Sequence, residues 1–234
     1  MPDEHIPNMS GERAAAIARW HDDAYVAMKR EAGTGQRFTY LGLDLWVPAS
    51  VQPITGMSHL LGEHVLAVVR PDDHVLDMGT GCGVNALLAA SIASRVVGVD
   101  TNAAAIEAAV TNAYTNGLAD RVEFRHSDVF GEVPESFDLI IFDPPFRWFP
   151  ARDLLESAIT DHGYRTLTTF FDQVASHLRP GGRLLMFFGT SGDLEYFLRL
   201  ADGAGLSAEV VARRTLTRDA LDVEYLTFQM TLAG

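Results

Sequence analysis

Residues 75–83 read Val-Leu-Asp-Met-Gly-Thr-Gly-Cys-Gly, an apolar strand closed by Asp77 and followed by glycine at every second position. Gly79, Gly81 and Gly83, with Thr80 among them, lack a Cβ, so the chain can turn sharply and a ligand can lie against bare backbone. Val84 onward reads as a helix, and strand, loop and helix together make half of a Rossmann-type unit. The Gly-x-Gly-x-Gly spacing departs from the dinucleotide fingerprint, whose third glycine falls one residue later, and an acid at Asp77 would repel a pyrophosphate. A positively charged nucleoside cofactor suits the pattern better.

Three further strand-like runs end in acids: Asp100 after Arg-Val-Val-Gly-Val, Asp128 shortly after Val-Glu-Phe-Arg-His, and Asp143 after Leu-Ile-Ile-Phe. Ligands of open parallel sheets bind beyond the carboxyl ends of the strands, so these acids are expected to converge on one crevice. One such Asp is often a helix cap, whereas four in register exceed that role. A carboxylate at Asp100 suits a ribose diol, Asp128 an adenine amino group, and Asp77 with the Gly79 and Gly81 backbone an ammonium. Thr101 and Val129 are expected to pack on the nucleoside.

Asp143 opens the tetrapeptide Asp143-Pro144-Pro145-Phe146. Two prolines fix φ and remove two backbone donors, which gives a stiff loop whose carbonyls, with the Asp143 carboxylate, accept from an incoming N–H. Phe146 is expected to stack on a flat amide or ring. The chemistry implied is a grip on a planar amine, with Asp143, Pro144 and Phe146 as the catalytic set and Asp143 also against the cofactor. Pro145, Trp148, His162 and Tyr164 are candidates, with Phe146, for the substrate wall.

On these residues the chain resembles the class I S-adenosylmethionine-dependent methyltransferases, in the methyltransferase small domain branch that modifies exocyclic or amide nitrogen. The resemblance covers most of residues 38–234. It is nearest to the release-factor glutamine methyltransferase type, through Phe38-Thr-Tyr-Leu-Gly-Leu-Asp-Leu-Trp-Val, Ser127-Asp128-Val129-Phe130 and the run from Phe137 to Phe146. It implies S-adenosylmethionine as methyl donor, S-adenosylhomocysteine as product and no metal. The acceptor implied is a small molecule or a protein glutamine. Departures from that type are Asp143 where Asn is usual, Phe146 where Tyr is usual, and Gln52-Pro53-Ile-Thr-Gly-Met in place of a Pro-Arg-Pro-Glu-Thr-Glu-like segment. Asp-Pro-Pro-aromatic also resembles RNA and DNA base amino-methyltransferases, which stand as the alternative. A non-catalytic or nicotinamide-binding Rossmann protein is the reading from another class.

These residues must be carried by a doubly wound α/β fold. Beyond residue 70, β and α patterns alternate, which predicts a Rossmann-like parallel sheet of about seven strands with helices on both faces. Two closing runs, 208–211 and 223–231, predict an antiparallel hairpin with about ten residues between them. Upstream, 11–32 reads as an amphipathic helix and 38–47 as a short hairpin. Residues 1–54 are therefore expected to be an extension serving as lid or substrate side, and 55–234 the cofactor-binding domain.

Composition bounds the partners. The chain has 234 residues, 47% of them hydrophobic, enough for one α/β core. The acidic start Met-Pro-Asp-Glu and the lack of a long apolar run exclude a signal peptide or membrane span as expectations, so a cytoplasmic location is predicted. A formal charge of −13 opposes extensive contact with a phosphate backbone, although Arg147, Arg152 and Arg165 fall near the expected site. The lone Cys82 and eight scattered histidines supply no metal-ligand spacing, and oligomeric state leaves no signature.

Overall fold

The computed structural model describes residues 5–218 and 221–233; the Met1–Glu4 stretch read above lies outside them. The Ser10 hydroxyl accepts from the Arg13 N–H at the start of α1 (Gly11–Ala32). A two-stranded antiparallel ribbon follows, β1 (Gln36–Tyr40) and β2 (Leu43–Val47), and then α2 (His59–Val68).

From there the units alternate: β3 (His74–Met78), α3 (Val84–Ala90), β4 (Arg95–Asp100), α4 (Ala103–Thr115), β5 (Val122–His126) and β6 (Phe137–Phe142). The crossover to β7 (Leu178–Gly189) carries a short α5 (Leu154–Ser157), a single 3-10 turn and α6 (Arg165–His177). The chain closes with α7 (Leu194–Gly203), β8 (Leu206–Arg218) and β9 (Leu221–Leu232).

The seven-stranded sheet has the order β5-β4-β3-β6-β7-β9-β8, with β9 antiparallel to both β7 and β8. The predicted closing hairpin is present, but its strands extend far further than the periodic runs suggested, β8 to Arg218 and β9 from Leu221. Arg213, Arg214 and Thr217 are exposed, so the strand there lacks the buried face that makes a sequence alternate visibly.

The reversal of strand order between β3 and β6 places a crevice above their carboxyl ends. The central strands are buried on both faces, which explains their unbroken apolar runs such as Leu139-Ile140-Ile141-Phe142. Leu167, Phe170, Phe171 and Val174 on α6 repeat at helical spacing and face the core, where Phe170 packs on Phe142 and Phe130.

The front ribbon is fastened by two asparagines of α4. Asn112 of α4, 1% exposed, accepts from the Trp46 N–H and donates to the carbonyls of Trp46 and Cys82, joining β2 to the glycine loop. Asn116, one turn on and partly in solvent, makes the analogous pair with Asp44. Asn112→Ala is expected to cost about 2–4 kcal/mol, because buried groups lose their partners. Asn116→Ala should cost about 1 kcal/mol or less, and urea denaturation of the two variants checks the difference.

Candidate functional site

Beyond the ends of β3, β4 and β6 lies a cavity of about 600 Å³, a size typical of cofactor sites. Its floor is the glycine loop, where Gly79, Gly81 and Gly83 adopt φ of 66°, 55° and 87°, conformations costly for any residue with a Cβ. Gly79, Thr80 and Gly81 line the cavity. Gly83 instead lets α3 approach α4, since a Cβ there would stand 3.0 Å from that of Ala109.

Asp77 does not reach the cavity. Its Oδ2 accepts from Thr80 Oγ1 at 2.6 Å and from the Ala86 N–H at 3.0 Å, which makes it the cap that Gly83, lacking a side chain, cannot provide for α3. Where an ammonium-binding role is expected, the structure places Asp77 off the cavity wall, 1% exposed, as a tether of the loop. Burial pushes this carboxyl up to about 7 against the two hydrogen bonds that pull it down.

Asp100, Thr101, Asp128 and Val129 all line the cavity. Asp100 accepts from the Gly81 N–H at 2.9 Å through Oδ2 and from the Asn102 N–H at 2.8 Å through Oδ1. Each oxygen keeps a lone pair, the arrangement needed for two vicinal hydroxyls. Helix α4 is capped by Asn102, which frees Asp100 from that duty. Val129 holds φ 47°, an outlier for a β-branched residue at a ligand-facing turn. The Asp128 carboxylate makes no hydrogen bond or ion pair with any described residue.

Asp143 lines the cavity immediately after β6. Its carboxylate has no partner among the described residues, and burial alone pushes it up to about 7. Pro145 and His162 share the wall, whereas Pro144 is buried and stands outside it.

Three expected substrate contacts take other places. Phe146 is 7% exposed and packs against Phe187, Phe188 and Tyr225, where an apolar ring gains more from burial than at a wet rim. Tyr164 is fully buried, and its hydroxyl donates to the Phe146 carbonyl and accepts from the Asp193 N–H. It braces the proline loop from behind. Trp148 packs on Phe149 and stands off the cavity wall.

Of the arginines near the site, Arg152 pairs with Glu156 and Asp22, and Arg147 is buried between Trp20 and Phe146. Arg165 alone lines the cavity. The remaining wall, from Ser50–Ile54 and 154–161 to Thr166 and Thr169, carries no sequence signal. Helix α5 spans a single turn, too short to show a period. Among the described residues no group of three or more His, Cys, Asp or Glu could hold a metal ion, and no described helix is long and apolar enough to cross a membrane.

Residues 54–213 match the methyltransferase small domain family. A release factor glutamine methyltransferase of Cereibacter sphaeroides is 34% identical over 171 residues, covering 66% of this chain and 60% of that protein. A putative protein N5-glutamine methyltransferase of Methanocaldococcus jannaschii is 29% identical over 180 residues, 74% of this chain and 89% of that one. The crystal structure of Methanocaldococcus jannaschii Trm5 in complex with adenosine superposes with a TM-score of 0.65 at 19% identity, over 85% of this chain and 55% of that chain, a likeness of fold. The chain thus spans about 60% of the length of the first of these relatives.

The unpartnered Asp143 has a consequence for stability. A carboxyl raised to about 7 in the folded state holds a proton that the unfolded chain releases near pH 4, so its contribution weakens as pH rises through that window and is level above it. Asp143→Asn should stabilise the ligand-free protein at pH 8 by on the order of 2 kcal/mol, with the gain vanishing toward pH 4. Thermal melts at both pH values measure this, and a residual slope is expected from Asp77, raised by the same burial.

Proposed function

From the premise that this chain belongs to the methyltransferase small domain family of class I S-adenosylmethionine-dependent methyltransferases, we propose that it transfers a methyl group to a planar amide nitrogen, with a protein or peptide glutamine as the acceptor class. One observation carries the reading: Asp143, an acceptor without a partner, shares its cavity with the glycine loop and with Asp100. The similarity to two glutamine methyltransferases supports the amide over a nucleobase amine, and so does the charge of −13. Residues 1–54 serve in this reading as the extension that walls the crevice of the domain 55–234.

The donor set fits the cofactor. Bare backbone at Gly79 and Gly81 admits the methionine part, Asp100 the ribose and Asp128 the adenine edge, with Thr101 and Val129 against the nucleoside. What the cofactor supplies is an electrophilic methyl on a sulfonium. Asp143 would accept from the amide N–H and so orient the nitrogen, while Pro145 would limit rotation and the apolar Phe142 would keep water out. An amide nitrogen that accepts a methyl group develops positive charge. An ionised Asp143 stabilises it and takes the proton, a task suited to a group titrating near neutrality.

Incubation with methyl-labelled cofactor and separated protein, nucleic-acid and metabolite fractions should put label on glutamine amides in the protein fraction. Salt-sensitive labelling of RNA or DNA would overturn the amide reading. Asp143→Ala should lower kcat by roughly a hundredfold with cofactor affinity nearly intact, whereas Asp100→Ala should weaken cofactor binding by roughly 1.5–3 kcal/mol. The wild-type kcat should rise with pH through about 7 and lose that step in Asp143→Asn. Equal loss of cofactor in both alanine variants would remove the division between ribose and amide sites.

A further inference from the structure

The cavity is divided by charge. Asp100, Asp128 and Asp143 occupy the strand-end wall, and the wall from α5 to α6 carries Arg165, the one Lys or Arg that lines the cavity among the described residues. The Arg165 guanidinium makes no hydrogen bond or ion pair with any described residue. Arg125, Arg152, Arg179, Arg183 and Arg199 each hold a carboxylate. The acid nearest to Arg165 in sequence is already spent: Asp161 accepts from the Thr166 and Leu167 N–H groups as the cap of α6. His162 and Thr169, on the same wall, also keep side chains without partners.

We infer that Arg165 reads the acceptor by taking a carboxylate carried next to the amide that Asp143 holds. The substrate class is thus an acidic glutamine segment. The inference rests on the reading of Asp143 as the amide grip. A guanidinium fork matches a carboxylate through two parallel hydrogen bonds, and the exposed Arg165 side chain is free to form them at the rim of the cavity. The −13 charge sharpens the effect inside the cavity, where Arg165 is the one Lys or Arg among the described residues that stands against Asp100, Asp128 and Asp143. His162 and Thr169 would add donors on the same side.

The probes are two acetylated, C-terminally amidated peptides, identical except that glutamate or alanine follows the glutamine. Each is titrated calorimetrically into the protein with and without S-adenosylhomocysteine, and each is assayed for methyl transfer. The wild type should bind the glutamate peptide roughly tenfold more tightly. Arg165→Gln should lose that preference and Arg165→Lys keep part of it, both with unchanged cofactor affinity. Equal binding of the two peptides by the wild type, or a preference that survives in Arg165→Gln, overturns the role of Arg165 and leaves the amide reading standing. A loss of cofactor affinity in Arg165→Gln assigns the guanidinium to the cofactor and overturns it equally. Failure to bind or methylate either peptide overturns the amide reading itself, and this inference with it.

Discussion

A carboxylate buried beneath a turn of glycines fixes this crevice. Three residues in left-handed conformations have little of their own to hold them in place, and the tether from Asp77 to Thr80 and Ala86 supplies the missing constraint. The Thr80 N–H then reaches the Val99 carbonyl and the Gly81 N–H reaches Asp100, so the loop is referenced to β4 as well as to its own helix. The position of Asp100 at the crevice follows from that arrangement. Asp161 repeats the device across the cavity, where it caps α6 in place of Tyr164. Two acids thus set the two walls by satisfying helix N-termini, where backbone N–H groups would otherwise go unpaired.

Asp77 and Asp143 are both pushed up to about 7 by burial, yet they divide the labour. Asp77 has two donors in the fold and is committed to structure. Asp143, half-buried on the cavity wall, has none, and its oxygens face the open space. That asymmetry separates a framework acid from a working one more reliably than position does, since both stand at the carboxyl ends of adjacent strands.

The same asymmetry explains what could be read from the chain. Strand, glycine loop and helix, the alternating units and the Asp-Pro-Pro-Phe turn are contiguous patterns whose local rules are strong, and the sheet follows from them. Side-chain direction at strand ends is decided by which partners the fold brings within reach, whether near in sequence or far. Asp77 belongs to Thr80 and Ala86 rather than to a ligand, and Phe146 belongs to Phe188 and Tyr225, which lie 42 and 79 residues further on. The α5–α6 wall was hidden for a second reason: a one-turn helix and a 3-10 turn have no period, and their placement depends on Asp153 and Asp161 caps that look like ordinary loop acids.

The proline loop is held from three sides, which bears on how Asp143 works. The Tyr164 hydroxyl takes the Phe146 carbonyl from below, and the Phe146 ring is locked in the aromatic cluster. On the third side Arg147 lies between Trp20 of α1 and Phe146, close to His21, whose ring meets the buried Glu156 at 2.7 Å. Burial lowers the Arg147 guanidinium and also His21, and α1 is further joined to this segment by the Asp22–Arg152 and Lys29–Asp153 ion pairs. A tyrosine held at φ 56° persists only because its surroundings over-determine it. With the turn so constrained, Asp143 cannot swing to seek a partner of its own, and the ligand must come to it in one orientation.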